Sequence, residues 1–211
     1  MPFIVFEGLD GSGKSTLMGL LLKELDNQKI KYATTREPGG TPLGDKLRDL
    51  IVNKGETAPV PRAELLLYEA SRAQLVENWI KPKLKDNHWV ISDRFSASSV
   101  AFQCGGRSLP RTEVEWLNQY ATQGLEPDLY VLLDITVEES KKRREKRVVE
   151  SGVEQDRIES EKDDFHQKVR DSFLQLAKEK PQQWLIVSAS TSSEQMLVKV
   201  LQRLKEMGWL R

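Results

Sequence analysis

A single cysteine, Cys104, is all the sequence carries, which excludes an intramolecular disulfide framework and any cysteine zinc site. A reducing compartment suits such a chain, and the expectation is a cytoplasmic protein. No run approaches the roughly 18 apolar residues of a membrane span. The apolar part of MPFIVFEGLD is too short for a secretory leader, so no membrane is expected among the partners. Charge of one sign is lacking too: 32 Lys and Arg balance 32 Asp and Glu, leaving no net field to draw nucleic acid. The two histidines, His88 and His166, sit beside no Ser or Cys nucleophile, so nucleophile–histidine chemistry has no basis here. With no repeat, linker or low-complexity tract, 211 residues suit one α/β domain over 1–211.

What is present begins at Gly8. GLDGSGKS fits GxxxxGK[ST], with Gly8, Gly13, Lys14 and Ser15 at the fixed positions and Leu9, Asp10, Gly11 and Ser12 between them. An apolar strand, 3–6, precedes it, and a helix with leucines at helical spacing, 16–25, follows from Thr16. That context makes it a phosphate-binding loop. Its glycines let backbone N–H groups turn inward around a triphosphate, and the new helix adds its positive end. Lys14 supplies a mobile charge for the β and γ phosphates of ATP, and the Ser15 hydroxyl is a ligand for Mg²⁺.

Downstream, short apolar runs predict strands at 31–35, 88–92, 129–134 and 184–187, alternating with helices at 42–52, 62–85, 96–103, 112–123, 137–147, 158–180 and 193–207. Pro82 is a candidate kink in the long second helix of that set, and a Gly-rich break is expected after residue 103. Strands alternating with helices imply a five-stranded parallel sheet covered on both faces, with ligands beyond the carboxyl ends of the strands. Residues 148–156 lack an apolar period and are a candidate mobile segment within a lid at about 141–158.

Several residues fall where such a site needs them. Asp93 and Arg94 follow the third strand, where a carboxylate reaches the metal shell and a guanidinium grips a phosphate. Asp10 is an anion inside an anion-binding loop and is expected to point away from the triphosphate, toward a sugar hydroxyl of a second substrate. Tyr68 and Arg72 share a helix face and suit a base pocket, although a core Tyr with a solvated Arg fits the same spacing. KKRREKR, 141–147, holds six basic residues in seven: on composition a solvated helix face or a nucleic-acid patch, the latter opposed by the acidic run 150–164, but after the fourth strand also a segment that could close over a triphosphate. A phosphate acceptor with a second pKa near 6 needs no general base.

EGLDGSGKST, TREPGGTPLGDKLR, LLLYEASRAQ, SDRFSASSVAFQCGGR and DRIESEKDDFHQKVRDSF, taken in order from residue 3 to about 201, resemble the bacterial thymidylate kinases, P-loop nucleoside monophosphate kinases. The resemblance implies transfer of the γ-phosphoryl of MgATP to dTMP in a homodimer. By motif position, Asp10 holds the sugar 3′-hydroxyl, Tyr68 stacks on the base and Arg72 reads thymine O4. Ser99 and Gln103 address the base, and Arg48 and Arg94 the acceptor phosphate. The resemblance also implies a cis Glu37–Pro38 peptide. Tyr68 stands where the family usually has Phe, and Phe102 where many members have Tyr; Cys104 replaces a common Gly. Some members carry an arginine in the phosphate loop where this chain has Gly11, which assigns the missing charge to the lid: Arg147 at the γ-phosphate, Arg143 nearer the nucleotide base, and Arg157 as rival.

Two other classes remain open on sequence. One is a kinase for another nucleotide or a deoxynucleoside; a hydroxyl acceptor would call for a carboxylate base, whereas Arg48 with Arg94 implies a phosphate. The other is a nucleotide-binding regulatory module, but residues 53–56 do not match the NKxD guanine motif of GTPase switches.

Overall fold

The computed structural model describes residues 1–55 and 58–210; Glu56 and Thr57, inside the expected connection up to Pro61, and Arg211 lie outside the described residues. The elements in chain order are β1 (Phe3–Glu7), α1 (Lys14–Asn27), β2 (Tyr32–Arg36), α2 (Pro42–Val52), α3 (Pro61–Leu75), α4 (Lys81–Lys85), β3 (Trp89–Asp93), α5 (Ser96–Ser99), α6 (Arg111–Thr122), β4 (Leu129–Asp134), α7 (Val137–Ser151), α8 (Asp163–Glu179), β5 (Trp184–Ser188) and α9 (Ser193–Glu206). The strands form one sheet in the order β2-β3-β1-β4-β5, every neighbouring pair parallel. β1, β3 and β4 are inner strands with both faces covered, which is why they read as unbroken apolar runs; Phe3, Ile4, Val5, Phe6, Val90, Ile91, Leu129, Val131 and Leu133 are all buried.

β1 has β3 on one side and β4 on the other; the chain leaves β1 toward β2 and the neighbouring β3 toward β4, in opposite directions across the sheet. A crevice opens beyond their carboxyl ends, and the phosphate loop lies in it. α1 packs against α9, α2 against α3, and α3 against α6. No helix of the described residues is long and apolar enough to cross a membrane. The Glu37–Pro38 peptide is cis.

Three stretches depart from expectation. The single helix expected over 62–85 is α3 and α4 joined by one wide π turn, Val76–Ile80, in which the Lys81 N–H reaches back to the Val76 carbonyl. Pro82 has no N–H and crowds the carbonyl four residues earlier, and the wide turn before it relieves that conflict without ending the helix. The expected break after residue 103 is absent: α5 runs on through a π-helical segment, Val100–Gly106. Its glycines serve packing, since a Cβ on Gly106 would stand 2.3 Å from the Phe165 ring and one on Gly105 2.9 Å from the Lys168 carbonyl. Finally, α7 continues four residues beyond 147 to Ser151, so only part of the stretch 148–156 is irregular, and α8 starts at Asp163 and not at 158.

Candidate active site

The carboxyl end of β1 delivers Glu7, and the chain then wraps from Gly8 to Gly13 before α1 begins at Lys14. Lys14 is buried and its Nζ donates to the Gly8 and Leu9 carbonyls at 3.3 and 3.2 Å, with Asp10 Oδ1 at 3.9 Å. Burial, reinforced by nearby Arg94, lowers its pKa from the ordinary lysine value. Ser15 and Thr16 follow in the exposed first turn of α1, and Ser12 is buried. Asp93, at the end of β3, has its Oδ1 buried without a hydrogen-bond partner. Ser15 and Asp93 line the same two cavities. An orphaned carboxylate oxygen beside a hydroxyl fits a Mg²⁺ that takes its remaining ligands from phosphate and water. Among the described residues no cluster of three His, Cys, Asp or Glu offers an all-protein cage.

Arg94 sits at φ 72°, a left-handed conformation that a residue with a Cβ rarely adopts. Its backbone N–H is held by the Phe6 carbonyl at 2.9 Å. Its guanidinium donates to Asp10 Oδ1 at 2.8 Å and Ser98 Oγ at 3.3 Å, lies 3.7 Å from Glu7 Oε2, and stacks over Phe102 at 4.9 Å. Asp10, expected to turn away from the triphosphate, is thus turned onto Arg94. Burial opposes ionisation of Asp10, but Arg94 and Lys14 outweigh it and hold the carboxyl well below the usual range.

Two cavities meet at this arginine. One is lined by the phosphate loop from Asp10 to Thr16, with Asp93, Arg94 and Arg147. The other is lined by Tyr68, Ser99, Phe102 and Gln103. Asp10, Glu37, Arg48, Arg94 and Asp156 belong to both walls. Arg48 donates to the Pro38 carbonyl at 3.1 Å. Arg72 is neither solvated nor open to the cavity: it is 1% exposed, and its guanidinium donates to Glu37, Glu69, Ser99, Asn118 and the Phe95 carbonyl. It reaches the cavity wall through Ser99, to which Nη1 donates at 2.8 Å.

The three lid arginines part company. Arg147 points into the phosphate cavity and is held by both Glu159 oxygens at 2.7 and 2.6 Å. Arg143 lies over the phosphate loop, donating to the Ala189 carbonyl at 3.0 Å and the Gly11 carbonyl at 3.4 Å. Arg157 turns the other way, to the Ile51 carbonyl at 2.9 Å and to Glu64. Gly11, at φ 78°, meets α7 so closely that a Cβ would stand 3.1 Å from the Ser140 carbonyl and 3.2 Å from Arg143 Cβ. A side chain at position 11 would crowd the helix that carries the lid arginines, which would have to give by a few tenths of an ångström. His166 takes no part in catalytic geometry; it is buried against Arg144 at 2.9 Å.

Reasoning from sequence overlooked the buried acids that hold these cations: Glu7, Glu37, Glu64, Glu69 and Glu159. The one available signal was local, the Glu69–Arg72 spacing on α3. Glu7 accepts from the Phe95 N–H at 3.0 Å and Ser98 Oγ at 2.7 Å. Burial pushes its carboxyl up to about 7 from 4.5, against the pull of Arg94. A raised carboxyl favours the folded state most at pH below its unfolded value, and that contribution is lost as pH climbs through the folded one. A shift of this size corresponds to about 3 kcal/mol. Glu7→Gln, which can still accept from the Phe95 N–H while its NH₂ reverses the direction of the Ser98 bond, should therefore flatten the fall in Tm between about pH 5 and 8. An unchanged Tm–pH curve in the variant would contradict this.

A family model described as thymidylate kinase matches residues 6–200. The chain is 53% identical over 206 residues to a thymidylate kinase of Bdellovibrio bacteriovorus, covering 98% of this chain and 96% of that one. It is 44% identical to one from Geotalea daltonii, covering 94% of each chain. A third, from Thermosipho melanesiensis, is 48% identical over 83% of this chain and 84% of that one. With a phosphate loop, a second cavity contiguous with it and this likeness along almost its whole length, the chain belongs to the thymidylate kinase family.

Proposed function

We propose that this chain transfers the γ-phosphoryl group of ATP to dTMP, giving dTDP and ADP for dTTP synthesis, at the junction of the two cavities. The observation that carries the reading is their shared wall. Arg48 and Arg94 face both spaces, so an acceptor phosphate in one and a γ-phosphate in the other would share cationic neighbours. Holding the two ends together in line is most of what phosphoryl transfer asks of a protein.

In this reading the loop from Gly8 to Thr16 binds the polyphosphate through its N–H groups, and Lys14 leaves the Gly8 and Leu9 carbonyls for the β and γ oxygens. Ser15 and Asp93 would hold Mg²⁺, which when bound would supply positive charge to the polyphosphate. Tyr68 and Phe102 flank the thymine, while Ser99, Gln103 and Arg72 address its edge, Arg72 exchanging its Ser99 contact for O4. Asp10 takes the 3′-hydroxyl, and Arg48 and Arg94 take the acceptor phosphate. An oxygen of that phosphate, already deprotonated, forms the new bond to phosphorus as the bond to the bridging oxygen breaks and ADP leaves.

Arg147 exchanges Glu159 for the transferred group, with Arg143 nearer the adenine. Arg157 is the remaining candidate, and its ties to Ile51 and Glu64 favour a clamp between lid and acceptor side. We further propose a single cytoplasmic domain over 1–211 that acts as a homodimer on two small molecules, without nucleic acid or membrane. Exposed Leu66 on α3 and stacked, exposed Trp116 and Tyr120 on α6 support a surface for a second copy.

Incubation with MgATP and each of dTMP, dUMP, UMP, CMP, GMP and thymidine, followed by ADP release, tests the reading: dTMP is expected to be the best acceptor and thymidine inactive. Turnover of thymidine at the dTMP rate would overturn it. Arg147→Ala is expected to lower kcat by about 10²-fold or more with both KM values little changed, the mark of a contact made in the transition state. If Arg143, Arg147 and Arg157 variants all keep kcat, the lid does not supply the charge.

A further inference from the structure

Glu64 is 1% exposed, on α3, one layer behind the acceptor cavity, and forms no part of its wall. Four donors converge on its carboxylate: Gln103 Nε2 at 2.9 Å, Arg107 Nε and Nη2 both at 3.2 Å, and Arg157 Nη2. A carboxylate ringed by two guanidiniums has only lone pairs to offer, and four donors fill its four lone-pair directions. That decides the direction of the Gln103 amide. The NH₂ end must face Glu64, since a carbonyl there would set oxygen against oxygen.

Gln103 itself lines the acceptor cavity, beside Ser99 and Phe102. With one Nε2 proton committed to Glu64, the amide cannot turn end for end, and Oε1 is the acceptor it presents to a ligand; that oxygen accepts no hydrogen bond among the described residues, and it is not among the buried unpaired atoms. A fixed acceptor at a base edge suits an N–H donor, as at N3 of thymine. It repels the N3 lone pair of cytosine. A site that cannot turn its amide rejects the wrong edge far more strongly than one that can.

We propose that Glu64 is a positioning residue for base selection: it locks Gln103 with its carbonyl toward the base, so that the pocket selects a pyrimidine carrying N3–H. This rests on the functional reading above and adds to it the part of specificity that comes from outside the cavity wall. The same carboxylate takes Arg157 of the lid, so the lid's far end and the base-reading amide share one anchor.

The test is the ratio of kcat/KM for dTMP to that for 5-methyl-dCMP, which differs from dTMP only at N3 and C4. In Glu64→Gln the residue at 64 can donate as well as accept, and Gln103 is free to turn. The ratio is expected to fall by about tenfold or more, in line with the loss of one well-placed hydrogen bond. Arg107→Lys serves as the structural control, because it loosens the same cluster without reversing any amide; its ratio should stay at the wild-type value even if its Tm falls. A Glu64→Gln enzyme that loses activity equally on both substrates, or an Arg107→Lys enzyme whose ratio falls as far, overturns the proposal. A wild type that treats the two substrates alike overturns the functional reading as well.

Should Glu64→Gln not fold, the wild-type chain carries the test by NMR. One Nε2 proton of Gln103, identified by its loss in Gln103→Met, is expected to be protected from solvent exchange. Free exchange of both protons overturns the lock.

Discussion

Arg94 is the constraint on which the site depends. It stands at the end of β3 in a backbone conformation that costs on the order of 1–3 kcal/mol and persists only where surrounding contacts over-determine it. Those contacts come from every side: the Phe6 carbonyl beneath, Asp10 in the phosphate loop, Ser98 on α5, and the Phe102 ring. Parallel pairing of β1 with β3 sets Phe6 opposite Asp93, so the sheet register itself places Arg94 next to the loop. The conformation turns the guanidinium into the gap between two cavities, where a less strained residue would have carried it along the strand direction.

A second regularity follows from the chemistry of an anion site. Each cation expected to meet phosphate is already held by oxygen: Lys14 by loop carbonyls, Arg94 by Asp10, Arg147 by Glu159, and Arg48 by Pro38. Unpaired charge in a partly buried cleft would be costly, and these oxygens relieve it. Polyphosphate binding then becomes an exchange of partners for these cations. Arg72 differs in kind, because apart from its Ser99 contact its bonds, to Glu37, Glu69, Asn118 and the Phe95 carbonyl, lie deep in the fold and tie α3 to the cis Glu37–Pro38 turn and to α6.

The sheet and the phosphate loop were legible because their signals are local. A buried parallel strand must be apolar throughout, and a phosphate loop must hold its glycines and lysine at set spacings; 129–134 was read to the residue. Asp93 and Arg94 were legible by position at a strand end. What escaped was set by contacts far apart in sequence. Nothing near residue 72 announces that Glu37 will neutralise it, and nothing near 103 announces Glu64. The helix end misread at 103 has the same origin: Gly105 and Gly106 look like a stop until α8 is seen packed on them. The glycine at position 11 is plain in the sequence, but the close approach of α7 to it exists only in three dimensions.

The central claim is that Arg94 joins the two cavities, serving both phosphates at once. Its most direct test is calorimetric binding of a bisubstrate mimic, adenosine and thymidine joined through five phosphates, to wild type and to Arg94→Ala, beside ADP alone. Loss of one charged hydrogen-bonding group typically costs about 1.5–3 kcal/mol, roughly 10- to 150-fold. The account predicts a loss in that range for the joined ligand and a change under about threefold for ADP, whose phosphates stop short of the junction. Equal losses for both ligands, or none for the mimic, would contradict it.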